Sequence, residues 1–151
     1  MPQTKVESFL LDHTKVHAPY VRRCAAIATP KGDLITKFDL RFTQPNVEAM
    51  PTGAVHTLEH LLAEYIRDEL SDVIDLSPMG CRTGFYLTLI GEVDEATVKE
   101  ALIHALKRVL EAEEVPAANR FQCGNYRDHS LFGAKEYALQ VLEGFNTSLD
   151  K

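Results

Sequence analysis

The sequence is short of the features that mark secreted, membrane-spanning and nucleic-acid-binding proteins. Its 151 residues contain only three cysteines, Cys24, Cys81 and Cys123, an odd and widely spaced set that makes a poor disulfide framework. No apolar stretch approaches the roughly 18 to 20 residues that a membrane helix needs. The N-terminus lacks the basic and then apolar pattern of a signal peptide, so the expected location is the cytoplasm.

The charge balance excludes a further class of function. The formal net charge is -6, and the sequence has no run of four or more consecutive Lys or Arg residues. Non-specific nucleic-acid binding needs a basic surface that displaces counterions, so no nucleic-acid partner is expected. A hydrophobic fraction of 45% is enough for a packed core. Because no linker, repeat or low-complexity run divides the chain, a single domain over residues 1–151 is predicted.

The hydrophobic periodicity predicts an α+β fold. A β-permissive stretch at 20–28, a turn at 29–33 and an alternating stretch at 34–42 predict a β-hairpin with one buried face. That face carries Leu34, Thr36, Phe38, Leu40 and Phe42. The opposite face, which includes Arg41, is expected to be exposed. With a further strand at 85–90, the pattern predicts an antiparallel β-sheet with helices packed on one face.

Three amphipathic helices are predicted after this hairpin. The first runs over 54–70, with Thr52 as a plausible N-cap. The second begins after Asp94, which is predicted to cap it. The third covers 134–142 and is predicted to stop at Gly144.

The first of these helices carries two histidines and a carboxylate within five consecutive residues. His56 and His60 lie one turn apart on the same face, which suits two ligands of a tetrahedral metal. Glu59 lies on the same edge. The H-x-x-E-H order is the inverted form of the zincin motif, in which the glutamate is a general base and not a ligand. Two histidines at this spacing also occur by chance, so the motif alone leaves a metal site and an ordinary helix equally open.

A third ligand would be a downstream glutamate or a thiolate. Cys123 lies in an irregular segment beside Gly124 and is available as a ligand. Cys24, inside an apolar strand, is predicted to be a small core residue. Cys81 stands at the entry to a strand beside Arg82, whose guanidinium can stabilise a thiolate. For Cys81 the residues leave catalysis, metal ligation and a buried thiol open.

Three motifs, in this order along the chain, resemble those of the S-ribosylhomocysteine lyase (LuxS) family, which makes the precursor of autoinducer-2. They are H-T-L-E-H after a Pro-Thr-Gly loop, S-P-M-G-C-R-T-G-F-Y in the middle and F-Q-C-G-N-Y-R-D-H late in the chain. The resemblance begins at S-F-L-L-D-H near the N-terminus and continues to the final helix. It therefore covers nearly the whole chain.

The resemblance implies a homodimer that cleaves S-ribosyl-L-homocysteine to L-homocysteine and 4,5-dihydroxy-2,3-pentanedione. It also implies one divalent metal per subunit, Fe²⁺ in the native state and replaceable by Zn²⁺ or Co²⁺. The residues that match the family's metal ligands are His56, His60 and Cys123. Glu59 and Cys81 match its acid/base residues. The positions that match those around the substrate, in active sites at the dimer interface, are Ser8, His13, Arg41 and Asp75.

Residues of these types suit this chemistry. A thioether leaves readily only when a carbonyl stands β to it, so the carbonyl must first migrate along the sugar by enolisation. Each enolisation needs acid/base groups on the substrate and a Lewis acid on its oxygen.

Two alternatives remain open at this level. One is a two-His-one-Cys metallohydrolase with a ligand set like that of peptide deformylase, in which Glu59 activates water and Cys81 is dispensable. Deformylases carry the opposite H-E-x-x-H order, which counts against this alternative. The other is a non-enzymatic protein with a structural metal. Such a site is usually closed by four protein ligands and would need Cys81 or another residue as the fourth.

Overall fold

The computed structural model describes residues 4–149, in which four helices and four strands are formed. In chain order they are α1 (Glu7–Leu10), β1 (Tyr20–Ala28), β2 (Leu34–Arg41), α2 (Thr52–Glu69), β3 (Val73–Pro78), β4 (Gly84–Ile90), α3 (Glu95–Glu111) and α4 (Leu131–Leu149).

The strands form one antiparallel sheet in the order β1-β2-β4-β3, so the predicted α+β fold is confirmed. The first hairpin is the predicted one, and its register runs from Tyr20 opposite Arg41 to Ala28 opposite Leu34. Strand β3 lies at the edge of the sheet and was not predicted. Its outer positions carry Asp75 and Ser77, residue types without β preference, which obscure the strand pattern.

The hydrophobic core lies between one face of the sheet and the three long helices. Phe38 and Leu40 of β2 and Leu87 of β4 are fully buried there, together with apolar residues of α2, α3 and α4. Each side chain of this size contributes about 1.5–3 kcal/mol by its burial. The prediction of helices on one face of an antiparallel sheet is therefore confirmed. The short helix α1 contacts β1, where Glu7 forms an ion pair with Arg22.

The two predicted helix caps differ in outcome. Asp94 caps α3 as predicted, because its side-chain oxygen accepts a hydrogen bond from the backbone N–H of Thr97 at 2.8 Å. Thr52 is not a cap, since α2 includes it and begins after Pro51 without a side-chain cap. Its hydroxyl instead donates to the Asp128 carboxylate at 3.3 Å. None of the helices in residues 4–149 is both long and apolar enough to cross a membrane.

Helix α4 does not stop at Gly144, which corrects the predicted end at 142. A Cβ at position 144 would lie 2.5 Å from Cδ of Pro19, far inside van der Waals contact. Glycine is therefore used here for close packing against the segment before β1 rather than to end the helix.

Cys24 is not a core residue, which corrects a second prediction. It lies at an irregularity in β1, between Arg23 and Ala25, where the pairing register with β2 shifts. The thiol is half-buried and donates to the Lys37 carbonyl oxygen at 3.4 Å, and burial raises its pKa. The shift in register removes Cys24 from the strand alternation on which the prediction relied.

Candidate metal centre and active site

Helix α2 brings two histidines and a glutamate to one edge of the fold. Its apolar stripe repeats every three to four residues, and Leu58 and Leu62 of this stripe are fully buried. His56, Glu59 and His60 lie beside the stripe and are half-buried. The rings of His56 and His60 meet edge to face with centroids 4.7 Å apart, which fits two side chains four residues apart on one helix face.

Cys123 reaches the same edge from the irregular segment between α3 and α4. Its sulfur lies 3.4 Å from Nε2 of His56 and 3.8 Å from Nε2 of His60. The loop therefore places a thiol against two imidazoles that are more than sixty residues away in the sequence.

His129 completes this group and was missed by the sequence analysis. Its ring stacks on that of His56 with centroids 3.8 Å apart, and its Nε2 lies 3.8 Å from the sulfur of Cys123. One donor atom from each of the four residues lies within 4.8 Å of the others. A histidine six residues after the candidate cysteine, in the same irregular segment, is the signal that could have found it.

The hydrogen bonds of His56 and His60 set their tautomers. Nδ1 of His56 lies 2.8 Å from the carbonyl oxygen of Asp128, and Nδ1 of His60 lies 2.7 Å from that of Pro116. Because a carbonyl oxygen only accepts, each Nδ1 carries the proton. Each Nε2 then presents a lone pair toward Cys123, the arrangement that metal-ligating histidines adopt.

His129 has the opposite tautomer. Its Nδ1 lies 2.9 Å from the hydroxyl oxygen of Thr57, which also accepts the backbone N–H of Ser130. Thr57 is fully buried, and among the described residues its hydroxyl proton meets no other acceptor than Nδ1 of His129. Since Nδ1 accepts, Nε2 carries the proton and donates toward the sulfur of Cys123. Burial and the neighbouring His56 and His60 lower the pKa of His129, which keeps the ring neutral.

Three of the four donor atoms therefore suit a metal ion in this arrangement, namely Nε2 of His56, Nε2 of His60 and the sulfur of Cys123. Two imidazoles and a thiolate are ligands that Zn²⁺, Fe²⁺ and Co²⁺ accept. Three protein ligands leave a fourth position open, as in catalytic sites, whereas structural zinc sites are usually closed by four.

A first cavity opens beside this group. Its volume is about 300 Å³, and Glu59, His60 and Asp75 contribute to its lining. Asp75, on β3, is exposed and accepts a short hydrogen bond from the hydroxyl of Ser77. Glu59 and Asp75 thus present two carboxylates to the space next to the candidate metal ligands.

The other candidate residues line a second cavity of about 340 Å³. They are Ser8, His13, Arg41 and Cys81. The two cavities have no lining residue in common. The nine candidate residues therefore fall into two groups within one chain. Five are the three candidate metal ligands with Glu59 and Asp75, and the other four are Cys81 with Ser8, His13 and Arg41.

Arg41 is buried, which corrects the expectation that its face of the sheet is exposed. Only 1% of its surface is accessible, and its guanidinium pairs with fully buried Asp39 at 3.0 Å. The same carboxylate accepts Arg22 at 3.1 Å and the hydroxyl of Tyr20 at 2.8 Å. Burial and the bond to Asp39 raise the pKa of Tyr20 to about 12. Mutual pairing lets these charged side chains occupy a strand face that the alternation assigns to solvent.

Arg82 is not the cation that faces Cys81, although it is next to it in the sequence. Its guanidinium donates to the Met50 carbonyl oxygen at 3.0 Å. The Cys81 sulfur instead lies 3.1 Å from the hydroxyl oxygen of Thr83, to which Arg41 donates at 3.0 Å. Cys81 itself is exposed.

A small α+β fold that combines a cluster of metal-ligand types with a carboxylate on the same helix edge and a neighbouring cavity is typical of a metal-dependent enzyme. The family model described as S-Ribosylhomocysteinase (LuxS) matches residues 6–151. The chain belongs to this family.

Curated relatives agree over nearly their full length. The chain is 65% identical to the S-ribosylhomocysteine lyase of Clostridioides difficile over 146 residues, which is 96% of this chain and 97% of that protein. It is 62% identical to the S-ribosylhomocysteine lyase of Thermus thermophilus, covering 92% of this chain and 90% of that protein. The Enterococcus faecalis enzyme of the same name is 56% identical, covering 92% and 91%.

Proposed function

We propose that this protein is a carbon-sulfur lyase that converts S-ribosyl-L-homocysteine to L-homocysteine and 4,5-dihydroxy-2,3-pentanedione, the autoinducer-2 precursor. The observation that carries the proposal is the convergence of His56, His60 and Cys123 beside Glu59, in a chain of this family. Its sparse, unpaired cysteines suit a reducing compartment, so the cytoplasm is the proposed location.

In this proposal His56, His60 and Cys123 hold one divalent metal per subunit, Fe²⁺ in the native state with Zn²⁺ or Co²⁺ as replacements. A bound metal of this kind supplies Lewis acidity, which polarises the carbonyl oxygen of the open sugar. The backbone carbonyls of Asp128 and Pro116 orient the two imidazoles so that each Nε2 faces the position proposed for the metal.

Glu59 and Cys81 move the protons. Each carbonyl migration takes one proton from the carbon beside the carbonyl and returns one to the former carbonyl carbon. A second proton passes from the hydroxyl oxygen of the first carbon to the former carbonyl oxygen, so the step is neutral overall. In the final step a proton leaves the carbon between the carbonyl and the thioether carbon. A carbon-carbon double bond then forms as the carbon-sulfur bond breaks, and the homocysteine thiolate that leaves takes up a proton. The enol that remains loses its hydroxyl proton and gains a proton on its terminal carbon, which gives the diketone. A carboxylate and a thiol can both accept and return protons near neutral pH.

The active site is proposed to form between two copies of the chain. Glu59 and Asp75 line the first cavity, whereas Cys81 lines the second. We place the first cavity of one subunit against the second cavity of its partner in a homodimer. Phe9 lines the second cavity yet is 69% exposed, and its neighbour Leu10 is 60% exposed. Apolar side chains in such positions are typical of a surface that a partner covers.

The test uses purified protein loaded with Fe²⁺ or Co²⁺ and incubated with S-ribosylhomocysteine, while free thiol is followed with a chromogenic disulfide. Wild type is expected to release thiol. The Cys81→Ala variant is expected to release none while retaining its metal by elemental analysis. No release from fully metallated wild-type dimer would overturn the proposal. Amide hydrolysis that survives the loss of Cys81 would favour the metallohydrolase alternative.

A further inference from the structure

A row of hydrogen-bonded side chains connects the buried ion pair of the sheet to Cys81. Asp39 holds Arg41 through two bonds, from Nε at 3.1 Å and from Nη2 at 3.0 Å. The remaining terminal nitrogen, Nη1, donates to the hydroxyl oxygen of Thr83 at 3.0 Å. That oxygen lies 3.1 Å from the sulfur of Cys81. Thr83 is 4% exposed, so water has little access to this hydroxyl.

The direction of each bond in this row follows from the chemistry of its members. A guanidinium has donors only, so the Thr83 oxygen must accept from Arg41. The hydroxyl proton of Thr83 is then free to donate, and its partner among the described residues is the sulfur of Cys81. A thiolate has no proton to donate, so in that form the sulfur accepts from Thr83 and stands at the end of a chain that begins at a buried positive charge. A thiolate accepts such a bond more strongly than a thiol does.

We propose that Thr83 is a positioning residue that orients Cys81 and favours its thiolate form by relaying the charge of Arg41. The inference deepens the proposed function, because it rests on Cys81 as a proton-transfer group. The side chain adjacent in sequence, Arg82, is bonded to the Met50 carbonyl and does not replace this contact.

Other ionisable groups also face Cys81, and the same groups are present in Thr83→Val and in Thr83→Ser. His13, Arg41 and Tyr86 line the same cavity. Glu48 lines an adjoining cavity that includes both Cys81 and Thr83. Burial raises the pKa of Tyr86, so its ring stays neutral around pH 7. An effect that separates two variants of Thr83 therefore reports on the hydroxyl group.

The test is the rate at which iodoacetamide alkylates Cys81 in the metal-loaded protein between pH 5 and 9, followed by peptide mass spectrometry. Mapping the peptides separates Cys81 from Cys24 and Cys123. Thr83→Val removes the hydroxyl at nearly constant volume, and Thr83→Ser keeps it. Since a hydrogen bond to a charged group contributes about 1.5–3 kcal/mol, Thr83→Val is expected to slow alkylation at pH 7 by about tenfold or more. The pH at half-maximal rate should also rise, whereas Thr83→Ser should follow wild type.

Two results would overturn the inference. One is wild-type alkylation, in rate and pH profile, by Thr83→Val. The other is a Thr83→Ser variant as slow as Thr83→Val, because the hydroxyl would then not be the cause. If Thr83→Val does not fold, Thr83→Ala is measured in its place with the same expected slowing. The assay needs no substrate turnover, so its failure is distinguishable from failure of the lyase reaction.

Discussion

Removing the carboxylate of Asp39 should destabilise the protein more than any substitution of an exposed acid. Asp39 is fully buried and is bonded to Arg41, Arg22 and Tyr20. In Asp39→Ala, Arg22 keeps its ion pair with Glu7, but Arg41 remains buried without its carboxylate. Breaking a buried pair from one side costs about 3–5 kcal/mol. This is roughly a third to a half of the about 10 kcal/mol that a domain of this size has available.

The assay is urea denaturation at one fixed protein concentration, because a dimer would make the midpoint depend on concentration. At about 2–4 °C per kcal/mol, the melting temperature should also fall by roughly 10 °C. The matched control is Asp68→Ala, which removes an ion pair with Arg108 at 2.7 Å in which both side chains are exposed. Exposed pairs contribute little, so the control should lose a small fraction of that amount. Equal losses in the two variants would refute the view that burial of Arg41 makes Asp39 essential.

Three further outcomes are expected. The pKa of Tyr20 is raised to about 12, so this residue contributes stability that is complete below pH 10 and declines as the pH rises toward 12. Stability measured by urea between pH 9 and 11 should therefore fall less steeply in Tyr20→Phe, and identical slopes would contradict this. Gly144→Ala should lower the melting temperature despite the higher helix propensity of alanine, because the new methyl group would collide with Pro19. A higher melting temperature would show that α4 and Pro19 separate freely. Glu59→Gln should remain folded and metallated by elemental analysis yet release almost no thiol from S-ribosylhomocysteine, and wild-type release would remove Glu59 from the mechanism.

Local patterns were sufficient to predict strands β1, β2 and β4, the three long helices apart from the end of α4, and part of the candidate site, but not α1 or β3. The spacing of His56 and His60 fixes their common helix edge whatever the rest of the chain does, because it depends only on helical geometry. The alternation in β2 likewise identified its core face, where Phe38 and Leu40 are buried. Cys123 could be named as a candidate from its irregular segment, but its distance to the histidines could not.

The remaining features depend on contacts between distant segments. His129 joins the group because the loop before α4 stacks its ring on His56, which no local periodicity encodes. Arg41 lies on a face that alternation assigns to solvent, and only its pairing with Asp39 and Arg22 explains its burial. Sequence adjacency suggested Arg82 as the cation beside Cys81, whereas the fold connects Cys81 to Arg41, forty residues earlier, through Thr83.

The central claim is that each active site combines Glu59 of one subunit with Cys81 of its partner, and mixed dimers test it most directly. The Glu59→Gln and Cys81→Ala proteins, each inactive alone, are mixed in equal amounts, dissociated in mild denaturant, reassociated and assayed for thiol release. If the site is shared, every mixed dimer contains one intact site and one doubly altered site. Random reassociation should then restore about a quarter of wild-type activity, since half of the dimers are mixed. If mixed dimers form, as native mass spectrometry would show, and no activity returns, the two residues act within one subunit and the account is contradicted.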